Sequence, residues 1–359
     1  MAYNRKQRLN DNIKAIETAF ILDREQRTPT ARERLLLERY CGFGGLKCIL
    51  NPARELADAV HWAKSDLELF APTVELHRLI RENSKNESEY KQLMDSLKQS
   101  VLTAFYTPSA VTEALTDVLK EHQIIPEKVL EPSAGIGAFV DSVLDNNPKA
   151  DIMAFEKDLL TGKILRHLHP EQKVRIEGFE KIEKPFNDYF DLAISNIPFG
   201  DVAVFDPSYT AMKGMRALVT RRIHNYFFVK ALDTVRDGGL VAFITSQGVL
   251  NAKNNSAARF MMLYHADLVS AIRLPNNLFT ENANTEVGSD LIILQKNSQK
   301  ESLRGDDNLL DTVYNDENRI PTNNYFLEHP ERIIHTTAKL DTDPFGKPAM
   351  IYTHEDGVE

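Results

Sequence analysis

The sequence holds only two cysteines in 359 residues, Cys41 and Cys48. Their spacing fits no common zinc site, and so close a pair rarely forms a structural disulfide. A reducing compartment is implied, and the expected location is the cytoplasm. Long apolar runs are missing as well. Nothing approaches the length of a membrane span, and the opening "MAYNRKQRLN" has no signal-peptide core. A surplus of positive charge is also absent, the formal net charge being −9. The deficit is concentrated at the end. Residues 299–359 carry six Lys/Arg against thirteen Asp/Glu, which leaves only −2 on the preceding 298 residues. The total therefore excludes a generally basic surface but leaves room for a local basic groove.

What is present is ordinary globular composition, 42% hydrophobic and 26% charged, without internal repeats. The first hundred residues have helical patterns. Leu9, Ile13, Ile16 and Phe20 fall on one helical face, and Thr30 with Glu33 fits a capping box ahead of "RLLLERY". "CGFGGL" interrupts them. It lacks both the Lys-Ser/Thr of a phosphate loop and a strand before it, and reads as a helix-ending turn. From about residue 104 strands alternate with helices. "KVLEP", "DIMAF", "KVRIEG", "DLAIS", "GLVAFIT", "DLVSAIRLP" and "DLIILQK" are the strands. The expected fold is α/β, a doubly wound, largely parallel, seven-stranded sheet. The expected organisation is a helical N-terminal domain over 1–100, the sheet domain over 101–298, and an acidic, mostly irregular tail over 299–359.

Several segments break the alternation at the carboxyl ends of strands, where open α/β sheets bind ligands. In "DLAISNIPFG" an apolar strand runs into Asn196, Ile197, Pro198, Phe199 and Gly200. Pro198 lacks an N–H and restricts Ile197, so Asn196 and Phe199 stand on a stiff loop. "LEPSAGIGAFV" follows the first strand, and Gly135 and Gly137 allow close backbone approach to a ligand. The second strand ends in "AFEKD". Glu156 is placed to accept hydrogen bonds from ribose hydroxyls, or belongs, with Asp158, to a helix N-cap region. The third strand gives "IEGFE", where Phe179 serves an adenine ring or the core. "AFYTPSAV" begins a helix at Thr107-Pro108.

In this order the segments resemble the S-adenosylmethionine-dependent adenine-N6 DNA methyltransferases. "FYTPSAV" is similar to the family's segment ahead of the first strand, "LEPSAGIGAFV" to its cofactor loop, and "SNIPFG" to its Asn/Asp-Pro-Pro-Tyr/Phe catalytic loop. Further on, "NYFFVKALDTVRDGGLVAFITSQGVL" resembles the family's next helix and strand. The order is that of the gamma arrangement, and the likeness covers roughly residues 101–298. It implies a Rossmann-like methyltransferase sheet with Asn196, Ile197, Pro198 and Phe199 as catalytic residues. It further implies S-adenosylmethionine bound by Tyr106, Thr107, Glu131, Pro132, Ser133, Ala134, Gly135, Gly137, Glu156, Lys157, Phe179 and Asn196. Ile197 departs from the family's first proline, but its carbonyl is retained. The helical start with Gly-Phe-Gly-Gly-Leu resembles very large phage and conjugative-element proteins that join a methylase region to a helicase and protect transferred DNA. That likeness implies an N-terminal portion of a longer protein, with a helicase or recognition region beyond it.

The implied reaction is methyl transfer to the N6 amino group of a flipped-out adenine in DNA. Asn196 and the Ile197 carbonyl would accept the amino hydrogens while Phe199 stacks on the base. Lys213, Arg216, Arg221 and Arg222 are candidates for phosphate contacts, and binding of DNA by this chain alone is expected to be weak. Two rivals stand beside this reading. One is methylation of an amino group in RNA or of a protein glutamine by the same loop. The other is a non-catalytic cofactor- or DNA-binding scaffold.

Overall fold

The structure is a computed structural model. It describes residues 4–356 apart from 104–105, 213, 281–285, 304, 306, 315–319 and 344–345. The chain begins with helix α1 (Arg5–Glu25), capped by Asn4, whose side chain accepts from the Gln7 N–H at 3.0 Å. Leu9, Ile13, Ile16 and Phe20 are all buried along one face. Helix α2 (Ala31–Glu38) opens on the expected capping box. Thr30 Oγ1 accepts from the Glu33 N–H at 3.3 Å, and Glu33 Oε2 accepts from the Thr30 N–H at 2.9 Å. The glycine-rich break that follows is structural. The Gly42 carbonyl accepts from Asn12 Nδ2 at 2.6 Å, the Phe43 N–H donates to Ser100 Oγ at 3.2 Å, and Phe43 and Leu46 are buried. Cys41 and Cys48 are both free thiols. Helices α3 (Phe70–Glu82) and α4 (Glu87–Thr103) complete this region.

Helix α5 (Ser109–Glu121) then leads into the sheet. Its strands are β1 (Lys128–Glu131), β2 (Asp151–Phe155), β3 (Lys173–Arg175), β4 (Phe190–Asn196), β5 (Val235–Ser246), β6 (Ala266–Leu274) and β7 (Ser289–Lys296). Their order across the sheet is β3-β2-β1-β4-β5-β7-β6. All pairings are parallel except those of β7, which runs against β5 and β6. The expected doubly wound, seven-stranded sheet is thus present. Leu192 to Ile194 of β4 and Val241 to Ile244 of β5 are buried on both faces, as central parallel strands require.

Helices α6 (Ala138–Asn146) and α7 (Leu159–Leu168) join α5 on one face through Leu115, Phe139, Val140 and Leu165. Leu160, Ile164 and Leu168 of α7 share a core with α1, α3 and α4, so the N-terminal helices pack directly on the sheet's own layer. On the chain's return from β4 come the short helices α8 (Pro207–Thr210) and α9 (Met215–Val219), then α10 (Ile223–Thr234). The short helix α11 (Gly248–Asn251) and α12 (Ser256–His265) follow β5. Helices α10 and α12 cover the second face with Phe227, Phe228, Met262 and Leu263.

The tail carries short regular elements between its irregular stretches. It contains the antiparallel pair β8 (Thr312–Tyr314) and β9 (Pro321–Asn323), helix α13 (Asn324–Glu328), and the pair β10 (Thr337–Thr342) and β11 (Pro348–Thr353). It is docked on the sheet domain. Asn323 Nδ2 donates to the Leu250 and Leu309 carbonyls, both at 2.9 Å. The Arg273 guanidinium, buried and held to Asp290 at 2.9 Å, lies 4.1 Å from the Phe326 ring centroid. A buried ion pair of this kind is stable only because further groups satisfy it. Here Asn251 Oδ1 accepts from Arg273 Nη2 at 3.0 Å.

Candidate active site

The carboxyl ends of β1, β2 and β4 lie side by side because β1 pairs with both of its neighbours. Three loops from these ends build the candidate site. After β1, Glu131 is buried, and its carboxylate accepts from the Ser133 N–H at 3.0 Å. Pro132 and Ala134 are buried too, and the Ala134 N–H donates to the Phe155 carbonyl at 2.9 Å, tying this loop to the end of β2. Gly135 and Gly137 adopt φ of +57° and +101°, a region that disfavours side chains. A Cβ at Gly135 would stand 2.7 Å from the Tyr106 ring, and one at Gly137 would stand 2.3 Å from His169 Nε2. Both positions therefore require glycine. Thr107 is buried beside Tyr106, and Pro108 leads into α5.

From β2, Glu156 Oε2 accepts the Gly135 N–H at 2.8 Å, and Oε1 accepts the Asp158 N–H at 2.7 Å. The N-cap of α7 is Asp158, which accepts from the Thr161 N–H at 2.7 Å. Glu156 is thus not consumed by capping and faces the glycine loop. Burial, with the negative charge of Asp158 behind it, pushes the Glu156 carboxyl up to about 8. Burial, with a smaller push from the negative charge of Glu156, raises Glu131 to about 8. Lys157 lies exposed and pairs with Glu180 at 3.4 Å. Phe179 differs from its possible role against an adenine ring. It is 1% exposed and packs edge-on to Phe155 and Tyr226, so its ring is a core element.

The third loop carries Asn196, Ile197, Pro198 and Phe199. Asn196 ends β4 in register with Ile244 of β5. Ile197 is 1% exposed, and its N–H donates to the Ile244 carbonyl at 3.0 Å. This explains how the loop tolerates isoleucine at that position. A proline would fix φ, whereas isoleucine fixes the same carbonyl through a ladder hydrogen bond and a buried side chain. Ile197→Pro should therefore destabilise this chain by about 1–3 kcal/mol, because it removes the N–H and orphans the Ile244 carbonyl. Urea unfolding measures this, and an unchanged midpoint would show that the bond contributes nothing. Phe199 is half-buried and meets Phe279 edge to face, with centroids 6.4 Å apart at 83°.

The cationic candidates divide. Lys213 lies outside the described residues. Arg216 and Arg222 differ from the expectation of phosphate ligands. Arg216 holds Asp233 with both guanidinium nitrogens at 2.5 and 2.9 Å. Arg222 pairs with Asp201 at 2.8 Å and donates to Asn254 and Asn255 at 2.5 and 2.6 Å. Arg221 is exposed, as is Lys253, which the Arg222–Asn254 bond brings to the same surface. Sequence reasoning missed Lys253, Asn255 and Phe279. Only Phe279 carried a signal, as an aromatic just beyond the carboxyl end of β6.

Residues 88–351 match the family described as N-6 DNA Methylase. Among curated proteins, the chain is 29% identical over 201 residues to the defense against restriction protein B of Escherichia phage P1, covering 54% of this chain and 8% of that one. It is 25% identical over 173 residues to the type II methyltransferase M.XamI of Xanthomonas campestris pv. amaranthicola, covering 45% and 33%. The matched segments thus span a third or less of either relative. Among solved structures, a modification subunit ascribed to a type I restriction enzyme of Vibrio vulnificus YJ016 aligns with a TM-score of 0.47 at 14% identity, covering 96% of this chain and 89% of that chain. Among the described residues no helix is long and apolar enough to cross a membrane.

Proposed function

Because the chain belongs to the N-6 DNA methylase family, we propose that it transfers a methyl group from S-adenosylmethionine to the N6 amino group of an adenine flipped out of DNA. The observation that carries this reading is the adjacency of the Asn196–Phe199 loop, at the end of β4, to the Gly135 and Glu156 loops at the ends of β1 and β2. The residues fit the cofactor. Gly135 presents bare backbone beside Glu156, which holds its N–H, and the Glu156 carboxylate, once ionised, has acceptor capacity left for the ribose hydroxyls. Tyr106, Thr107, Glu131 and Ser133 would line the same cradle. When bound, the cofactor supplies an electrophilic methyl on its sulfonium.

The rest is work for the protein's own groups. An adenine amino nitrogen is a poor nucleophile because its lone pair is delocalised into the ring. Asn196 Oδ1 and the Ile197 carbonyl accept its two hydrogens and favour the tetrahedral nitrogen of the transition state. Phe199, steadied by Phe279, stacks on the base and holds it in line. The extra proton on N6 is acidic after transfer and leaves to water, so no strong base is required.

Arg221 and Lys253 are exposed cations on the segments that follow β4 and β5, and so small a number supports weak DNA binding by this chain alone. The division into 1–100, 101–298 and 299–359 is part of the proposal, with one refinement. The tail's docking against β6 and the family match to residue 351 support counting much of it with the methylase unit. Protection of mobile-element DNA from restriction, suggested by the name of the phage relative, is the biological role we infer, and a helicase region would lie elsewhere in such a system.

Tritiated S-adenosylmethionine offered with DNA, RNA and protein acceptors tests the reaction. Label is expected in DNA alone. Label in RNA or protein would overturn the acceptor, and no label anywhere would favour a scaffold.

A further inference from the structure

Between the catalytic loop and α10 the chain exposes a run of large apolar side chains. Phe205 is 78% exposed, Val202 60%, Met212 47%, Met215 43% and Leu218 41%. Phe205 is the most exposed of these, yet its backbone is firmly mounted. On one side the Val204 N–H donates to the Thr220 carbonyl at 2.8 Å. On the other, Asp206 is 2% exposed and accepts from Tyr226 Oη at 2.7 Å, Lys230 Nζ at 3.2 Å and the Ser208 N–H at 2.8 Å. Burying the Asp206–Lys230 pair carries a desolvation cost that these bonds must offset. The result is a fixed position for the residue next to it. Among the described residues nothing covers the Phe205 ring.

Position and charge suggest what does. Phe205 follows Phe199 by six residues, so their Cα atoms lie within about 22 Å. Arg221 and Lys253 are both exposed, and the Arg222–Asn254 bond joins the segments that carry them. An apolar tip on a segment that also carries an exposed cation suits a polyanion whose interior is apolar, namely stacked bases within a phosphate backbone. A base turned out of a duplex leaves a gap, and apolar wedges are known to enter base steps.

We infer that Phe205 is the positioning residue that enters the DNA stack where the target adenine leaves it. This rests on the reading of the chain as an adenine methyltransferase acting on DNA. The wedge matters only where there is a stack to fill. Phe205→Ala should lower kcat/KM on matched duplex by about tenfold or more, while turnover on the same strand presented single-stranded changes less than about twofold. Phe205→Trp should keep duplex activity. Because the chain's one native tryptophan, Trp62, is 6% exposed, the introduced indole gives a direct signal, and its emission should be quenched by saturating duplex. Equal losses on duplex and single strand, or no loss on either, would overturn the inference. So would an indole indifferent to bound duplex, or no duplex binding at all, results that would instead mark this surface as a protein-docking face. If the unaltered chain methylates neither form of DNA, the functional reading fails, and the indole signal still decides the wedge.

Discussion

Asn196→Ala should lower turnover about a hundredfold or more while cofactor affinity stays within a factor of two. The magnitude follows from removing one preorganised dipole aimed at charge that develops in the transition state. Asn196 is well suited to that role. It terminates a buried central strand, its backbone is in register with Ile244, and the next residue is pinned by the bond to the Ile244 carbonyl. The Ile197 carbonyl remains in the variant as a second acceptor, which is why activity should fall rather than vanish. Single-turnover rates with saturating cofactor, set beside calorimetric binding, separate the two effects. A loss confined to cofactor affinity would move Asn196 out of the methyl-transfer step. Equal turnover in the variant would remove it from the mechanism.

The second large effect is a pH dependence of cofactor binding. Glu156 sits near 8 because burial and Asp158 oppose its ionisation. Its folded value is therefore raised above that of the unfolded chain. The fold loses this group's contribution as pH climbs from the ordinary carboxylate range toward about 8, and the dependence flattens above that. Cofactor binding has the opposite slope. Ribose hydroxyls are donors, and they need the ionised carboxylate, so binding must expel a proton wherever Glu156 is protonated. Affinity should rise by up to about tenfold per pH unit between pH 6 and 8 and then level off. Titrations in buffers of different ionisation enthalpy should detect the released proton at pH 7. Glu156→Gln should bind more weakly and lose most of the slope. A slope unchanged in this variant would assign it to Glu131, whose carboxyl titrates in the same range.

Some of this architecture was written plainly in the sequence. The alternation of short apolar runs with amphipathic stretches specified the sheet, and "SNIPFG" stood out because a plain turn needs no amide followed by an aromatic ring. Glu156 was ambiguous only until Asp158 was seen to cap α7, a choice between two adjacent acids that spacing does not resolve. The misread features share one cause, dependence on partners distant in the chain. Arg216 reads as a free cation until Asp233, seventeen residues on, is folded against it. Phe179 reads as an available ring until α10 closes over it. The tail's strands are only three to six residues long and hold few large apolar residues, so their patterning is faint. β9 is held by Asn323, and β11 by the Asn276 side chain that accepts from the Tyr352 N–H, rather than by local propensity. Ile197 stands where the resembled family has its first proline. The compensating bond to Ile244 belongs to another strand.

The most direct measurement is mass spectrometry of nucleosides from the DNA of a host that lacks adenine methylation of its own and expresses this chain. N6-methyladenine should be present with the unaltered chain and be reduced about a hundredfold with Asn196→Ala at equal expression. DNA free of N6-methyladenine, or methylation that Asn196→Ala leaves undiminished, would contradict the assignment of this loop as an adenine-N6 methyltransferase site.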